Sequence, residues 1–211
     1  MGIKKVVLFA WCLLAAPYAF GVLLNGTAAK VGKTIITIED AYFYHALNSF
    51  KAGVEDSLSR PSPAELRKTV QKMIFEEMVA LEAQSFKFQE VPKGLAQAQI
   101  NRQKGKSRPE HWRQILSRFG KTESTALSLL DRSILVERFV QRKVETLTPI
   151  ITDVEVERYY RQNAARFKDK TVETAKPTIV LILKKQRVEN GLEEWIRFLK
   201  KKYQVAEFLE T

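Results

Sequence analysis

Cysteine is nearly absent from this chain. Cys12 is the only one in 211 residues, and it lies inside an apolar amino-terminal run. No disulfide framework, thiolate metal cluster or cysteine nucleophile can therefore be built in the body of the protein. Cys12 is also a poor lipidation site, because bulky Trp11 precedes it and the apolar block continues on both sides. Histidine is as scarce. His45 and His111 fall on separate predicted helices, which excludes a His-rich zinc site and a Cys–His dyad and makes each a helix-surface or half-buried packing residue. There is no Gly-rich phosphate loop and no G-x-S-x-G elbow. The adjacent acids Glu76 and Glu77, and Glu193 and Glu194, point roughly 100° apart on a helix, so they are read as solvated faces rather than an acid/base couple. The expectation is a non-enzyme with no catalytic residue, no metal and no cofactor.

What is present begins with an export signal. Lys4 and Lys5 precede an uncharged apolar run from Val6 to Leu24, the pattern of a secretory leader. Small residues offer cleavage after Ala19 or Gly21, so residues 1–21 are read as a signal peptide. The run, at about 19 residues, is also long enough to stay as an uncleaved anchor reaching Leu24, a reading that Pro17 and Gly21 weaken. Either way Lys4 and Lys5 stay on the cytoplasmic side and the rest is delivered across the membrane, so the expected location is the periplasm, soluble or held at the inner membrane. Asn25, Gly26 and Thr27 also fit a glycosylation sequon, a pattern common by chance.

The remaining residues, 22–211, are enough for one domain. With 45% hydrophobic and 28% charged residues, the composition is that of a folded chain rather than a disordered one. The net charge of +11 suits acidic clients, anionic lipid or solubility. Its densest parts are Arg102, Lys104, Lys106 and Arg108, and then Arg197, Lys200, Lys201 and Lys202. These are read as a solvated loop and an outer helix face, and as the places where a membrane surface would be met. Aromatics are not interleaved with the first run, which argues against nucleic acid.

Four capping boxes mark helix starts: Thr37 to Asp40, Ser62 to Glu65, Ser107 to Glu110 and Thr152 to Glu155. In each a hydroxyl accepts from first-turn amides and an acid three residues on reaches back. Before the first box, Ala28 to Ile36 predicts a short strand with a turn at Gly32 and Lys33. Helices are expected over 38–51, over 63–86 with Leu66, Val70, Met73, Ile74, Met78 and Leu81 on one stripe, after Pro92, and around Trp112, Ile115, Leu116 and Phe119, stopped by Gly120. Residues 123–144 are apolar nearly all round and predict a central helix. A helix from Thr152 to about Ala165 follows. The last helix is expected from about Pro177 to Lys202, with Leu181, Val188, Leu192, Trp195, Ile196, Leu199 and Tyr203 on one face and Gly191 interrupting it. Ile179 to Leu183 alone would also pass for a strand. Residues 204–209 predict a terminal strand pairing near Ala28.

This order of elements resembles the chaperone core of the SurA family. Residues 29–37 are similar to its opening "A-x-V-(N/G)-x-x-x-I-T". The segment from Trp112 to Thr122 resembles a short helix ended by glycine. Ile151, Thr152, Asp153, Glu155, Tyr159, Tyr160, Asn163 and Phe167 fit "I-T-(D/E)-x-E-(I/V)-x-x-Y-Y-x-x-N-x-x-x-F", and Trp195 to Val205 resembles the closing helix and strand. The likeness spans roughly Ala28 to Leu209. It implies a mainly α fold, a helical domain closed by a C-terminal helix and a pairing of its terminal strands. It also shows a departure, because the family usually carries a parvulin prolyl isomerase domain where only Lys168 to Lys176 stand here, and so short a segment cannot hold one. Residues 150–176 are thus a helix and a short linker.

The resemblance implies an ATP-independent chaperone that holds unfolded or outer-membrane-bound polypeptides. The alternatives are an assembly or secretion subunit with one fixed partner, and a degenerate prolyl isomerase. The excess of aromatics at Tyr42, Phe43, Tyr44, Phe50, Phe86 and Phe88 is read mostly as core. Whatever part stays exposed would form the shallow apolar surface a holdase needs. The residues expected to bind peptide are Tyr42, Phe43 and Phe50, with Met73 and Met78 as an adaptable lining.

Overall fold

Three of the four capping boxes form as the sequence predicts. The side chains of Thr37, Ser62 and Thr152 each accept from the backbone N–H three residues on, and Asp40, Glu65 and Glu155 return the bond. A computed structural model, describing residues 26–89 and 92–209, places helices after each of them: α1 over Ile38–Lys51, α2 over Pro63–Ser85 and α6 over Asp153–Gln162. The others among the described residues are α3 (Leu95–Lys104), α4 (His111–Arg118), α5 (Glu123–Leu147) and α7 (Val172–Lys202). The protein is mainly helical, with one small antiparallel sheet. The leader and its cleavage sites, Cys12 and Asn25 lie outside the described residues.

The fourth box does not form. Ser107 closes the end of α3, its N–H donating to the Lys104 carbonyl at 3.3 Å and its hydroxyl accepting from Gln103 at 3.4 Å. A tight turn from Arg108 to His111 then follows, and α4 starts at His111 with no side-chain cap. Two caps that the sequence reading overlooked are Thr122 and Thr171, whose hydroxyls accept from the N–H of Thr125 and Thr174. Thr171 explains why α7 starts five residues before Pro177. Ala175 and Ile179 are fully buried against α6, and that burial holds a first turn that the proline alone would have delayed. Residues 179–183 are helix, and Gly191 does not interrupt it. A Cβ at Gly191 would meet Leu147 at 3.0 Å, so the glycine lets α7 pass close to α5. Leu181, expected on the face of Trp195 and Leu199, is exposed.

The sheet has order β2-β1-β3. β1 (Thr27–Val31) turns back through Gly32, at φ +59, into β2 (Thr34–Thr37). Gly32 is in the left-handed region at the first central position of the turn, where glycine carries no steric cost. The tail strand β3 (Ala206–Glu207) pairs antiparallel with β1, Lys30 facing Ala206 and Ala29 facing Glu207. The terminal pairing expected from the sequence is present, and the N–H of Gly32 donates to the Tyr203 carbonyl at 2.6 Å.

Apolar side chains gather in three clusters. One joins the sheet to α2, the second half of α5 and the end of α7, through Val31, Val70, Ile74, Met78, Val136 and Leu199. A second joins α1, α3, α4 and the first half of α5, through Phe43, Leu47, Phe50, Ile100, Trp112 and Ile115. The third holds α6 to the first half of α7, through Val156, Phe167, Ala175 and Ile179. The central α5 thus belongs to two cores at once, as its nearly all-round apolar pattern predicts.

The α6–α7 pair carries its own pH signature. The backbone N–H and hydroxyl of Thr152, together with Arg187 from α7, hold the Glu155 carboxyl down from its ordinary 4.5 to about 2. A depressed acid gives its full stabilisation above the unfolded value and loses it as pH falls toward the folded one. The Glu155 carboxyl-carbon shift is therefore expected to titrate near 2. Arg187→Gln should raise that midpoint while leaving it below 4.5, because the Thr152 bonds remain. A midpoint at 4.5 in the unaltered protein would contradict the cap.

Candidate functional site

The last turn of α2 is built to present aromatic rings. Phe86 caps the helix and Lys87 follows in the left-handed region at φ 55. The N–H of Phe88 donates back to the Ala83 carbonyl and that of Lys87 to Gln84, both at 2.9 Å, which is the bonding of a Schellman turn. Glycine is the usual residue at the left-handed position, and a lysine there carries strain. The turn brings Phe86 and Phe88 over Phe139 of α5, with ring centroids at 6.1 and 5.2 Å, and Phe139 lies 6.2 Å from Trp195 of α7. Phe198, one turn on from Trp195, completes the far wall. The result is an open cleft of about 920 Å³ between α2, α5 and α7, in the size range of ligand sites. Phe86 is 69% and Phe198 55% exposed, so the walls of the cleft are apolar surface left facing water.

Cations border the rings. Lys143 sits 5.6 Å above Trp195 and Lys202 5.8 Å from Phe198, within reach of a cation–π attraction. Arg142 donates to Glu145 at 3.2 Å. Glu82, at the base of the cleft, is buried, and its Oε2 accepts from Lys202 Nζ at 2.5 Å and from the Tyr203 hydroxyl at 2.7 Å. The hydrogen bond to Glu82 raises the pKa of Lys202. Burial, and then its own hydrogen bond to Glu82, raise that of Tyr203. Both stay protonated at neutral pH, and the carboxylate is neutralised in place.

A smaller cavity of about 140 Å³ lies between β2, α1, α2 and α5. Glu76 and Glu77 face it, and here the sequence reading is corrected: both are buried, at 5% and 6% exposure. Glu76 accepts from the Tyr44 hydroxyl at 2.6 Å and from Ser133 at 3.1 Å. Glu77 accepts from Thr34 at 2.7 Å and pairs with Arg132. Burial and then the Glu76 charge push the Tyr44 hydroxyl far up, so it remains a donor. These partners make the acids clamps between β2, α1, α2 and α5. Glu193 and Glu194, by contrast, are exposed as expected. Among the described residues no group of three His, Cys, Asp or Glu side chains is placed to hold a metal. His111 is buried, bonded to Ser57 at 2.7 Å.

The residues expected to bind peptide do not form one surface, although Phe43 and Met73 both line the small cavity. Phe43, Phe50 and Met78 are each 1% exposed and belong to the core, Phe43 against Phe119 and Phe50 against Trp112. Phe50 and Met78 have no surface to offer a client, and Phe43 meets only the small cavity that it lines. Tyr42 is half-buried under Arg60, whose guanidinium lies 5.6 Å from its ring. Met73 is half-buried and lines the small cavity. Of the wider aromatic set, only Phe86 and Phe88 reach the cleft. Phe139, Trp195 and Phe198 were missed as site residues, although Phe198 carried a signal. It falls off the buried stripe of α7, between Arg197 and the lysines, where an aromatic has no core to fill. The two basic runs are also less free than expected, since Lys104 pairs with Glu123 at 2.7 Å and Lys202 with Glu82.

No family model matches the chain, and no curated protein or solved structure does. Among the described residues no helix is long and apolar enough to cross a membrane.

Proposed function

We propose that this protein is an ATP-independent periplasmic chaperone that holds unfolded polypeptides, those bound for the outer membrane included, in the aromatic cleft between α2, α5 and α7. The observation that carries the reading is the exposure of Phe86 and Phe198 on either side of a cleft with aromatic walls. Single exposed apolar side chains are ordinary, but aromatic rings gathered on the walls of one cleft form the contiguous apolar patch that marks a binding surface. Unfolded chains display apolar side chains in many orders, and an open cleft that grips rings rather than reading a sequence suits them. The likeness to the SurA core supports the same reading, and the net positive charge hastens encounter with acidic chains.

The test is aggregation of a denatured outer-membrane protein diluted from urea without ATP. The expected result is suppression near stoichiometric ratios. Phe86→Ser with Phe198→Ser should weaken client binding at least about tenfold, as truncation of two aromatic anchors does. Both side chains are solvent-exposed, so the fold should survive. No suppression by the folded protein with several unrelated clients would sink the chaperone reading and favour a role with a single fixed partner.

A further inference from the structure

The free edge of the small sheet offers a second way to take a polypeptide. The Ala28 carbonyl accepts from the Phe208 N–H at 2.9 Å, and Lys30 faces Ala206. Positions 28 and 30 of β1 therefore turn their backbone groups toward β3, while 29 and 31 bond to Ile36 and Thr34 of β2. Ile35, opposite Lys30, is left in a non-hydrogen-bonded pair, with its N–H and carbonyl directed away from the sheet. Neither group finds a hydrogen-bond partner among the described residues. Two positions on, the Thr37 N–H is already taken by Asp40 at 3.3 Å. The open edge is one residue wide.

Exposed edges are normally blunted with charge, proline or a covering loop. Here the residue at the open position is an isoleucine, 57% exposed, and the 140 Å³ cavity opens beside it with Phe43, Met73 and Leu129 in its lining. That volume matches one large aliphatic or aromatic side chain, as engineered cavities of about 150 Å³ do. The charges at its rim are already matched, Lys121 with Asp40 at 3.0 Å and Arg132 with Glu77. An uncharged segment fits there without stranding a charge.

We propose that β2 is a docking strand. It pairs antiparallel with an extended, uncharged segment of a partner polypeptide, which seats one Leu-, Met- or Phe-sized side chain in the cavity beside Ile35. The residue opposite Ile35 exchanges both hydrogen bonds with it and points its side chain outward. Its neighbours point to the face of Thr34 and Ile36, which packs on α2, and one of them enters the cavity. This goes beyond the aromatic cleft, which grips side chains without reading backbone.

The probe is a fluorescein-labelled Thr-Val-Thr-Leu-Thr-Val-Thr peptide, followed by anisotropy with the whole protein. Saturable binding is expected. N-methylation of the two threonines that flank the leucine should weaken it at least about tenfold, because the bonds to Ile35 are lost. N-methylation of the leucine, on the opposite edge, should not. Ile35→Pro removes the outward N–H, at a position where an edge strand accepts proline, together with the isoleucine side chain beside the cavity, and should weaken binding at least as much. In the complex, the Ile35 amide should exchange more slowly with deuterium. The cleft variant, Phe86→Ser with Phe198→Ser, should bind this peptide unchanged while failing the aggregation assay, which separates the two readings. Equal binding of the two methylated peptides would overturn the proposal. So would absence of binding to folded protein, or a dimer in sedimentation that Ile35→Pro dissolves.

Discussion

Phe50→Ala is expected to destabilise the protein by about 3–5 kcal/mol, the range for removing a fully buried aromatic ring. Phe50 packs 5.2 Å from Trp112 and edge-on to His111 at 5.4 Å. These are the rings through which α1 meets α4, and His111 is in turn fixed by Ser57. Truncation leaves a cavity that rigid helices cannot close and loosens the neighbours together. Urea unfolding should show the loss as a lower midpoint with an unchanged slope. Client binding by the fraction that remains folded should be unaffected. Phe86→Ser, with most of its ring in water, should shift stability by about 0.5 kcal/mol or less while reducing binding. A loss below 1 kcal/mol for Phe50→Ala would mean that the side chain faces solvent in solution, as a peptide-binding role on α1 requires.

Lys202→Met combined with Tyr203→Phe should cost about 3 kcal/mol, the low end of the range for breaking a buried pair, because Lys202 is 37% exposed and part of its charge is screened. The expense comes from Glu82, which keeps its burial and loses both donors. Adding Glu82→Leu should recover most of the stability, since an apolar group of similar volume needs no partner. The comparison is made by thermal unfolding at neutral pH. If the triple variant were no more stable than the double, the carboxylate would not be the source of the loss. Because Glu82 lies at the base of the cleft, the double variant should also disturb Phe198, over which Lys202 sits.

The helices were legible because their signals are local. Thr37, Ser62 and Thr152 each find their acidic partner within one turn of the same chain, and Gly120, at φ 57, stops α4 wherever α4 packs. The apolar stripe of α2 and the all-round pattern of α5 are also properties of a single element. The box at Ser107 failed for a reason outside itself, since α3 ends on that serine and a turn follows. Pro177 misled because the burial of Ala175 and Ile179, which depends on where α6 lies, outweighs the preference of proline for the first turn.

The candidate site was less legible. Phe43, Phe50 and Met78 carry the chemistry of a peptide-binding surface and lie in the core. Glu76 and Glu77 carry that of a solvated face and are buried clamps. Period alone assigns a residue to one side of a helix, but a helix in contact with several neighbours has more than one inside. Phe86, Phe139 and Phe198 come from three helices far apart in the chain, and only their packing makes them a cleft. The sequence by itself determined which stretches are helical, where most of them start, and that both ends of the domain can form strands, because capping, periodicity and strand propensity act over a few residues. Only the tertiary structure decided which apolar and acidic side chains are hidden and which are shown, because burial belongs to surfaces that exist only once distant elements have come together.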